Sequence, residues 1–447
     1  MGFYLRVSEG LGDRGGVQGR TRAYGQDSED GVPEGQGRGL HEGLEGMPAR
    51  VFLLLCLLGF FAIMSSTASK SPTLPLYAER LGLSPFEIGL VAAASTITGI
   101  FVNFTAGFLS DIYGRRKLLM ASGFVFATAP FLYLLVSSGW ELAAIRVYHG
   151  IATATFVPVA TALIADLYPS RKGGMMGLFS TARTVGRLIA PTLAGVLIYA
   201  YGFGPTYMAC GLLGAIAFAF MLALPSDRRA PRPKAPSGER SPAGLPRGYA
   251  LGILLALGLV EASTYFAMQS IETFLPLYSA VFAEAPWLVG LIFTLELSTI
   301  ALLKPLMGAA SDRLGRVPFI ILGAATSAAG MAALSLSPGI ASIVLSVVAF
   351  AVGVSMSTAA TAPLAAELLG ERAYGAAIGL LETIKDVGQA LGPIIVGLIA
   401  SWATYGHAFL IVAFVELAAL AIASVALKAL GGAAGHGAIR YPERSFM

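Results

Sequence analysis

Long apolar runs separated by short polar stretches dominate this chain. A helix that crosses a bilayer needs about 20 mostly apolar residues. Twelve such runs follow one another, roughly at 50–77, 85–109, 118–137, 141–166, 175–200, 205–225, 249–279, 286–310, 318–337, 340–368, 375–401 and 406–430. The pattern predicts an all-α integral membrane protein with twelve transmembrane helices. Two polar segments stand apart. Residues 1–46 are rich in Gly, Arg, Glu and Asp, lack apolar periodicity and are expected to be disordered. They carry no short apolar core ending at a small-residue cleavage site, so they do not read as a signal peptide. Met47 directly precedes the first membrane-type sequence and reads as an alternative start. Between the sixth and seventh runs, Pro225 to Arg247 is rich in Pro and Arg with no apolar run, which marks a linker. The expected organisation is an extension at 1–48, a six-helix bundle at 49–225, a linker at 226–248, a second bundle at 249–430 and a tail at 431–447.

Composition agrees with lipid as the solvent. Of the 447 residues, 55% are hydrophobic and 13% charged, against about 25% charged in an ordinary soluble domain. Mean hydropathy is +0.72. The net charge of +4 is small and sits in loops, so it reads as a topology signal and not as a nucleic-acid footprint. Cys56 and Cys210 fall inside apolar runs and suggest neither a disulfide framework nor a metal site. Basic residues are one-sided. Arg115, Arg116, Lys117, Arg171, Lys172, the linker, Arg313, Arg316 and Arg372 fall in one set of loops, and Arg80 alone in the other. By the positive-inside rule both termini are expected in the cytoplasm of a cell-membrane protein.

The chain also repeats itself. Leu74-Pro75-Leu76-Tyr77 recurs as Leu275-Pro276-Leu277-Tyr278, and Gly107, Asp111, Gly114 and Arg115 recur as Gly308, Asp312, Gly315 and Arg316, all at an offset of 201 residues. After one insertion the offset is 202, where Gly186, Pro191 and Gly195 recur as Gly388, Pro393 and Gly397. A shared offset across several helices indicates duplication. Each half has an even number of spans, so the two bundles are expected to be pseudo-symmetric about an axis along the membrane normal.

The loop after the second span reads GFLSDIYGRRK and its copy reads GAASDRLGR. Glycines there permit a tight turn and close helix approach. Asp111 and Arg115 lie one helical turn apart. This double Gly-x-x-x-Asp-x-x-Gly-Arg loop resembles the signature of the major facilitator superfamily, over about residues 50–430. The resemblance implies cytoplasmic latches: Arg115 with Asp166, Arg316 with Glu367, and Asp111 near the N-terminus of the eleventh span. It also implies that the first, fourth, seventh and tenth spans line a cavity and that the fifth and eighth face each other. Residues 141–154 resemble the family's fourth-span motif, whose central arginine is Arg146. Residues 186–195 resemble the antiporter-associated Gly-Pro motif, with Ala190 in place of its second glycine. The copy at 388–397 fits that pattern better, and close packing alone explains both.

Charged residues inside apolar runs are the candidate functional groups. Glu261 stands near mid-bilayer in the seventh span, where an unpartnered carboxylate is costly; it is the candidate proton carrier, with Arg146 as tuning partner or substrate contact. Arg187 and Glu296 lie at similar depths in the fifth and eighth spans and are expected to approach each other. Arg183 and Lys304 lie about two turns further in, and Glu382, Lys385 and Asp386 form a self-satisfied cluster. Lys70 and Glu272 near the outer ends, with Arg146, form a candidate outer charge cluster, and His149 sits one turn from Arg146. The first span carries no acid before Glu79, and intramembrane positives cluster in the first half while most acids lie in the second. That leaves room for an anionic substrate.

The reading is a secondary active transporter working by alternating access, most simply proton-coupled efflux of a small organic molecule. Proton-symport uptake of an organic anion is the alternative. A membrane receptor or sensor ranks lower, since 431–447 carry no pattern of a signalling domain, and an enzyme lower still. No Gly-x-x-x-x-Gly-Lys-Ser/Thr loop occurs, so an ion gradient is the expected energy source. The expected partners are the substrate, protons and membrane lipid, with the protein acting as a monomer and without cofactor, metal or nucleic acid.

Overall fold

A computed structural model describes residues 37–224, 247–279, 282, 284–369 and 374–433. It is all-helical over these residues, and twelve candidate membrane spans appear where the apolar runs predict them. In chain order the helices are α1 (Gly37–Ala68), α2 (Thr73–Arg80), α3 (Pro85–Tyr113), α4 (Arg115–Leu132), α5 (Gly139–Leu167), α6 (Lys172–Tyr201) and α7 (Phe203–Leu222) in the first half. The second half holds α8 (Arg247–Tyr278), α9 (Pro286–Leu314), α10 (Arg316–Ser335), α11 (Ile340–Leu369), α12 (Tyr374–Ala400) and α13 (Tyr405–Ala433). The first span is broken, contrary to the single run expected: α1 stops at Ala68, and α2 resumes after Pro72. Proline has no N–H to continue the helical ladder and pushes the residue before it away from helical geometry. The extension, the linker and the tail lie largely outside the described residues.

Local chemistry sets the helix ends. Ser84 and Ser138 each open a helix through a capping box with Glu87 and Glu141, which satisfies orphan backbone donors at both ends of the exchange. Gly114 and Gly315 make the turns between α3 and α4 and between α9 and α10, at φ 98° and 102°. A side chain there would be strained.

Two seams join the halves, related by the repeat. On one, α3 packs against α12; on the other, α6 packs against α9. At each, glycines sit where any Cβ would strike a backbone carbonyl opposite: Gly89 against Pro393 and Gly397 against Pro85, then Gly290 against Pro191 and Gly195 against Pro286. All of these lie toward one end of the bundle, the Pro85 end. There a single apolar cluster runs through both halves, from Leu74 and Tyr207 to Phe274, Phe293 and Phe409. Toward the opposite, Arg115 end the apolar clusters separate, one confined to the first half and one to the second. Gly107, Gly173, Gly177, Gly308 and Gly379 at that end would meet nothing within 4 Å if given a Cβ. The halves are therefore closed together at the Pro85 end and apart at the Arg115 end.

Candidate functional site

The Pro85 end is sealed by polar groups as well as by the seams. Lys70, in the turn between α1 and α2, places its Nζ 2.8 Å from Oε2 of Glu272 on α8. The same ammonium donates to Gln269 Oε1 at 3.1 Å, and Gln389 on α12 donates to that oxygen at 3.0 Å. The Ser71 hydroxyl donates to the other Glu272 oxygen. This network crosses from the first half to the second. The break at Pro72 turns Lys70 and Ser71 toward α8 together. Gln269, Gln389 and Ser71 escaped the sequence reading. Gln269 lies three residues before Glu272, one turn along the same helix face.

Arg146 lies apart from this network. It is 3% exposed and its guanidinium donates to Ser95 on α3. It also lies beside the Tyr133 hydroxyl, and its Nε has no partner. His149, one turn along α5, packs edge-on against Phe126 and sits 3.5 Å from the Tyr133 hydroxyl, with Nε2 unpartnered. Arg146 falls within electrostatic reach of Lys70 but keeps neutral bonding partners.

Glu261 is 7% exposed and accepts from the Thr361 hydroxyl on α11. Lys304, Lys385 and Glu382 lie within electrostatic reach of it. Lys385 pairs with Glu382, approaches Asp386 at 3.6 Å and sits 5.1 Å over the Tyr265 ring. Arg146 is not among the neighbours of Glu261. The expected tuning pair is thus corrected: Arg146 stands seven residues from the Pro85-end terminus of α5, whereas Glu261 lies deeper on α8 and packs within the second half.

Arg187 and Glu296 come within electrostatic reach of each other, as expected, but not into contact. No ion pair forms between them. Thr294 of α9 is the residue that meets α6, donating to the Leu188 carbonyl at 2.8 Å and bonding Thr192 at 2.8 Å. Glu296 comes two residues later, roughly 200° further round the helix, and is buried at 4% exposure. Depth and neighbourhood were read correctly, while the direct contact between the two helices is made by Thr294. Arg187 falls one turn before Pro191, which meets α9, and one turn after Arg183, which packs against Gly59 of α1. It is exposed, lies within electrostatic reach of Glu272 on α8 and Glu296 on α9, and has no bonding partner among the described residues.

At the Arg115 end the two latch loops are near copies. Arg115 Nε meets Asp166 Oδ2 at 3.1 Å and its NH2 meets Asp111 at 2.8 Å. Arg316 Nε meets Glu367 at 2.7 Å and its NH2 meets Asp312 at 2.6 Å. Both pairs stay within one half. The expected position of Asp111 at the N-terminus of α12 concerns residues 370–376, whose side chains lie outside the described residues. Gly186 and Gly388 pack within their own halves, against the Phe60 and Ala262 carbonyls.

One further acid was overlooked. Glu416 on α13 is 1% exposed, accepts from Ser327 of α10 at 2.7 Å and leaves Oε2 unpartnered. It lies between outer helices of the second half, away from the gap. Among the described residues no group of His, Cys, Asp and Glu has the arrangement of a metal site.

Comparison with known proteins points one way. The Major Facilitator Superfamily profile matches residues 55–288 and 257–433. An uncharacterised MFS-type transporter of Methanocaldococcus jannaschii, MJ1560, is 28% identical over 76% of this chain and 89% of its own length. Quinolone resistance protein NorA of Staphylococcus aureus is 25% identical over 78% and 90%. Multidrug resistance protein MdtG of Proteus mirabilis is 32% identical over 40% and 46%. Among solved structures, an inward-facing bacterial homologue of the human lysosomal transporter Spinster superposes with TM-score 0.71 at 15% identity, covering 86% of this chain and 98% of the other. The xylose transporter XylE of E. coli superposes with TM-score 0.64 at 16% identity, covering 83% and 94%.

Proposed function

This chain belongs to the Major Facilitator Superfamily, and from that premise we propose that it exports a small organic molecule from the cytoplasm in exchange for protons, with Glu261 as the proton carrier. The observation that carries the coupling is the setting of Glu261. A carboxyl buried in a membrane bundle, held by one hydroxyl and flanked by Lys304 and Lys385 without an ion pair, can take up and release a proton as its surroundings change. The resistance-protein names of NorA and MdtG support the outward direction. Among the described residues no ion pair holds Glu261, which leaves its charge free to respond to substrate or to rocking of the halves.

Alternating access follows from the two ends. The Lys70–Glu272 network and the glycine seams would part at the Pro85 end as the halves close at the Arg115 end. Arg115, Arg116, Lys117, Arg171, Lys172, Arg313 and Arg316 gather at the Arg115 end and Arg80 at the other. On the positive-inside rule we place the Arg115 end and both termini in the cytoplasm, in the plasma membrane, with the protein working as a monomer in lipid.

Inverted vesicles energised to an acid interior test the proposal with a panel of lipophilic cations, sugars and carboxylates. A compound should dissipate the pH gradient with the native protein and fail to do so with Glu261→Gln. No dissipation by any compound, together with substrate-driven alkalinisation outside right-side-out vesicles, would replace export by proton symport.

A further inference from the structure

The unpaired charges around the gap do not balance. Arg146, Arg183, Arg187 and Lys304 form no ion pair among the described residues. Their bonding partners are neutral or lacking. Arg146 donates to Ser95. Arg183 lies 5.0 Å from the Phe179 ring centroid with its Nε unpartnered. Arg187 is exposed and Lys304 is half-buried. Two acids nearby, Glu261 and Glu296, are also free of ion pairs. Acids and arginines are not equivalent here. A carboxyl becomes neutral by taking a proton, whereas a guanidinium keeps its charge at any physiological pH. With the Lys70–Glu272 pair and the Lys385–Glu382–Asp386 cluster counted in, six cations face five acids, so positive charge is in excess by one with every acid ionised and by more when Glu261 and Glu296 are protonated. In surroundings of low dielectric, a ligand of opposite sign relieves that excess most directly.

The surroundings also describe the rest of the ligand. Phe179 stacks under the Arg183 guanidinium, Phe60 of α1 adjoins α6 at Gly186, and Phe60 and Phe61 remain half-buried. Phe179 itself is fully buried, so a flat apolar body beside Arg183 would meet the remaining exposed surface of Phe60 and Phe61.

We propose that the transported molecule is an amphipathic organic anion, with its acidic group held by Arg187 and Arg183 across from Lys304 and its apolar body against the half-buried Phe60. This rests on the export reading for direction, but the binding it predicts does not depend on coupling. Export of a monoanion against one incoming proton moves two charges per cycle, so an interior-negative membrane potential drives that direction.

The experiment is equilibrium binding to the purified full chain in detergent, with three probes of one shape: 1-naphthalenesulfonate, the 1-naphthyl trimethylammonium ion and 1-naphthylmethanol. The sulfonate is expected to bind saturably and at least about tenfold more tightly than the other two. Arg187→Gln should weaken it by about tenfold or more, and Arg187→Lys should fall between, because lysine keeps the charge but loses the planar fork. Arg187 is exposed, so neither change should disturb folding, and size-exclusion profiles check that. Equal or tighter binding of the ammonium or the alcohol, no saturable binding of the sulfonate, or unchanged sulfonate affinity in Arg187→Gln each overturns the proposal. The Glu261→Gln result in vesicles bears on coupling alone, so the two readings fail separately.

Discussion

Positions related by the repeat show where the two halves agree and where they part. Arg115 and Arg316 make the same set of contacts in their own loops, and Gly195 and Gly397 each meet a proline carbonyl of the other half. The buried polar positions differ. Arg146 has Val347 as its counterpart, Ser95 has Glu296, and Phe60 has Glu261, each 201 residues on. Gly214, whose Cβ would strike the Phe126 carbonyl, corresponds to Glu416, which bonds Ser327, and Phe126 itself corresponds to Ser327. Scaffold residues were kept in duplicate while the interior was divided, arginines to the first half and carboxyls to the second. The lesson is that symmetry marks structure here and its loss marks chemistry.

The comparison breaks most severely at the seams. Gly290→Leu should abolish transport, a loss of about fiftyfold or more, because a side chain there collides with the Pro191 carbonyl. Transport assays with a cysteine pair placed across α6 and α9 check this, with cross-linking expected to fall in parallel. Glu416→Ala should cost about 2–3 kcal/mol of stability by opening a cavity and removing the bond to Ser327, which keeps only the Ala324 carbonyl. Glu416→Gln should keep most of it, and export should continue in both. Thermal unfolding in detergent measures the difference, and a loss of export in the glutamine variant would move Glu416 from scaffold to chemistry.

Smaller effects sharpen the contrast between the ends. Lys70→Ala removes the inter-half ion pair and should shift the population toward opening at the Pro85 end by about 1–2 kcal/mol, five- to thirtyfold. Thiol-reagent accessibility of a cysteine introduced at Leu74 reads that shift. Arg115→Ala and Arg316→Ala should each cost only about 0.5–1 kcal/mol, since Asp166 and Glu367 are more than half exposed. The two losses should be equal within error. Unequal losses would show that the latches are not interchangeable.

Much of this was legible in the sequence. Twelve spans follow from run length, and the constant offset gave the duplication. The Arg115–Asp166 and Arg316–Glu367 contacts followed from the family resemblance. What escaped depends on rotation about helix axes. Depth counts placed Glu296 level with Arg187 and within reach of its charge, yet they could not tell that Thr294, two residues earlier, makes the direct contact with α6. Gln269 and Gln389, uncharged, gave no signal against the cost of charge in lipid, and Glu416 passed unremarked in a run that is otherwise strongly apolar.

The seams have a further consequence. Their tightest inter-half approaches are made by Gly89, Gly195, Gly290 and Gly397 against Pro85, Pro191, Pro286 and Pro393, and neither residue type has rotamers to lose on burial. Surfaces of this kind can part and reseat in every cycle without freezing or releasing side-chain motion. The entropy change of gating at these approaches then lies with lipid and water, and its side-chain part falls to the Thr192–Thr294 pair, the shared apolar cluster and the polar groups around Lys70.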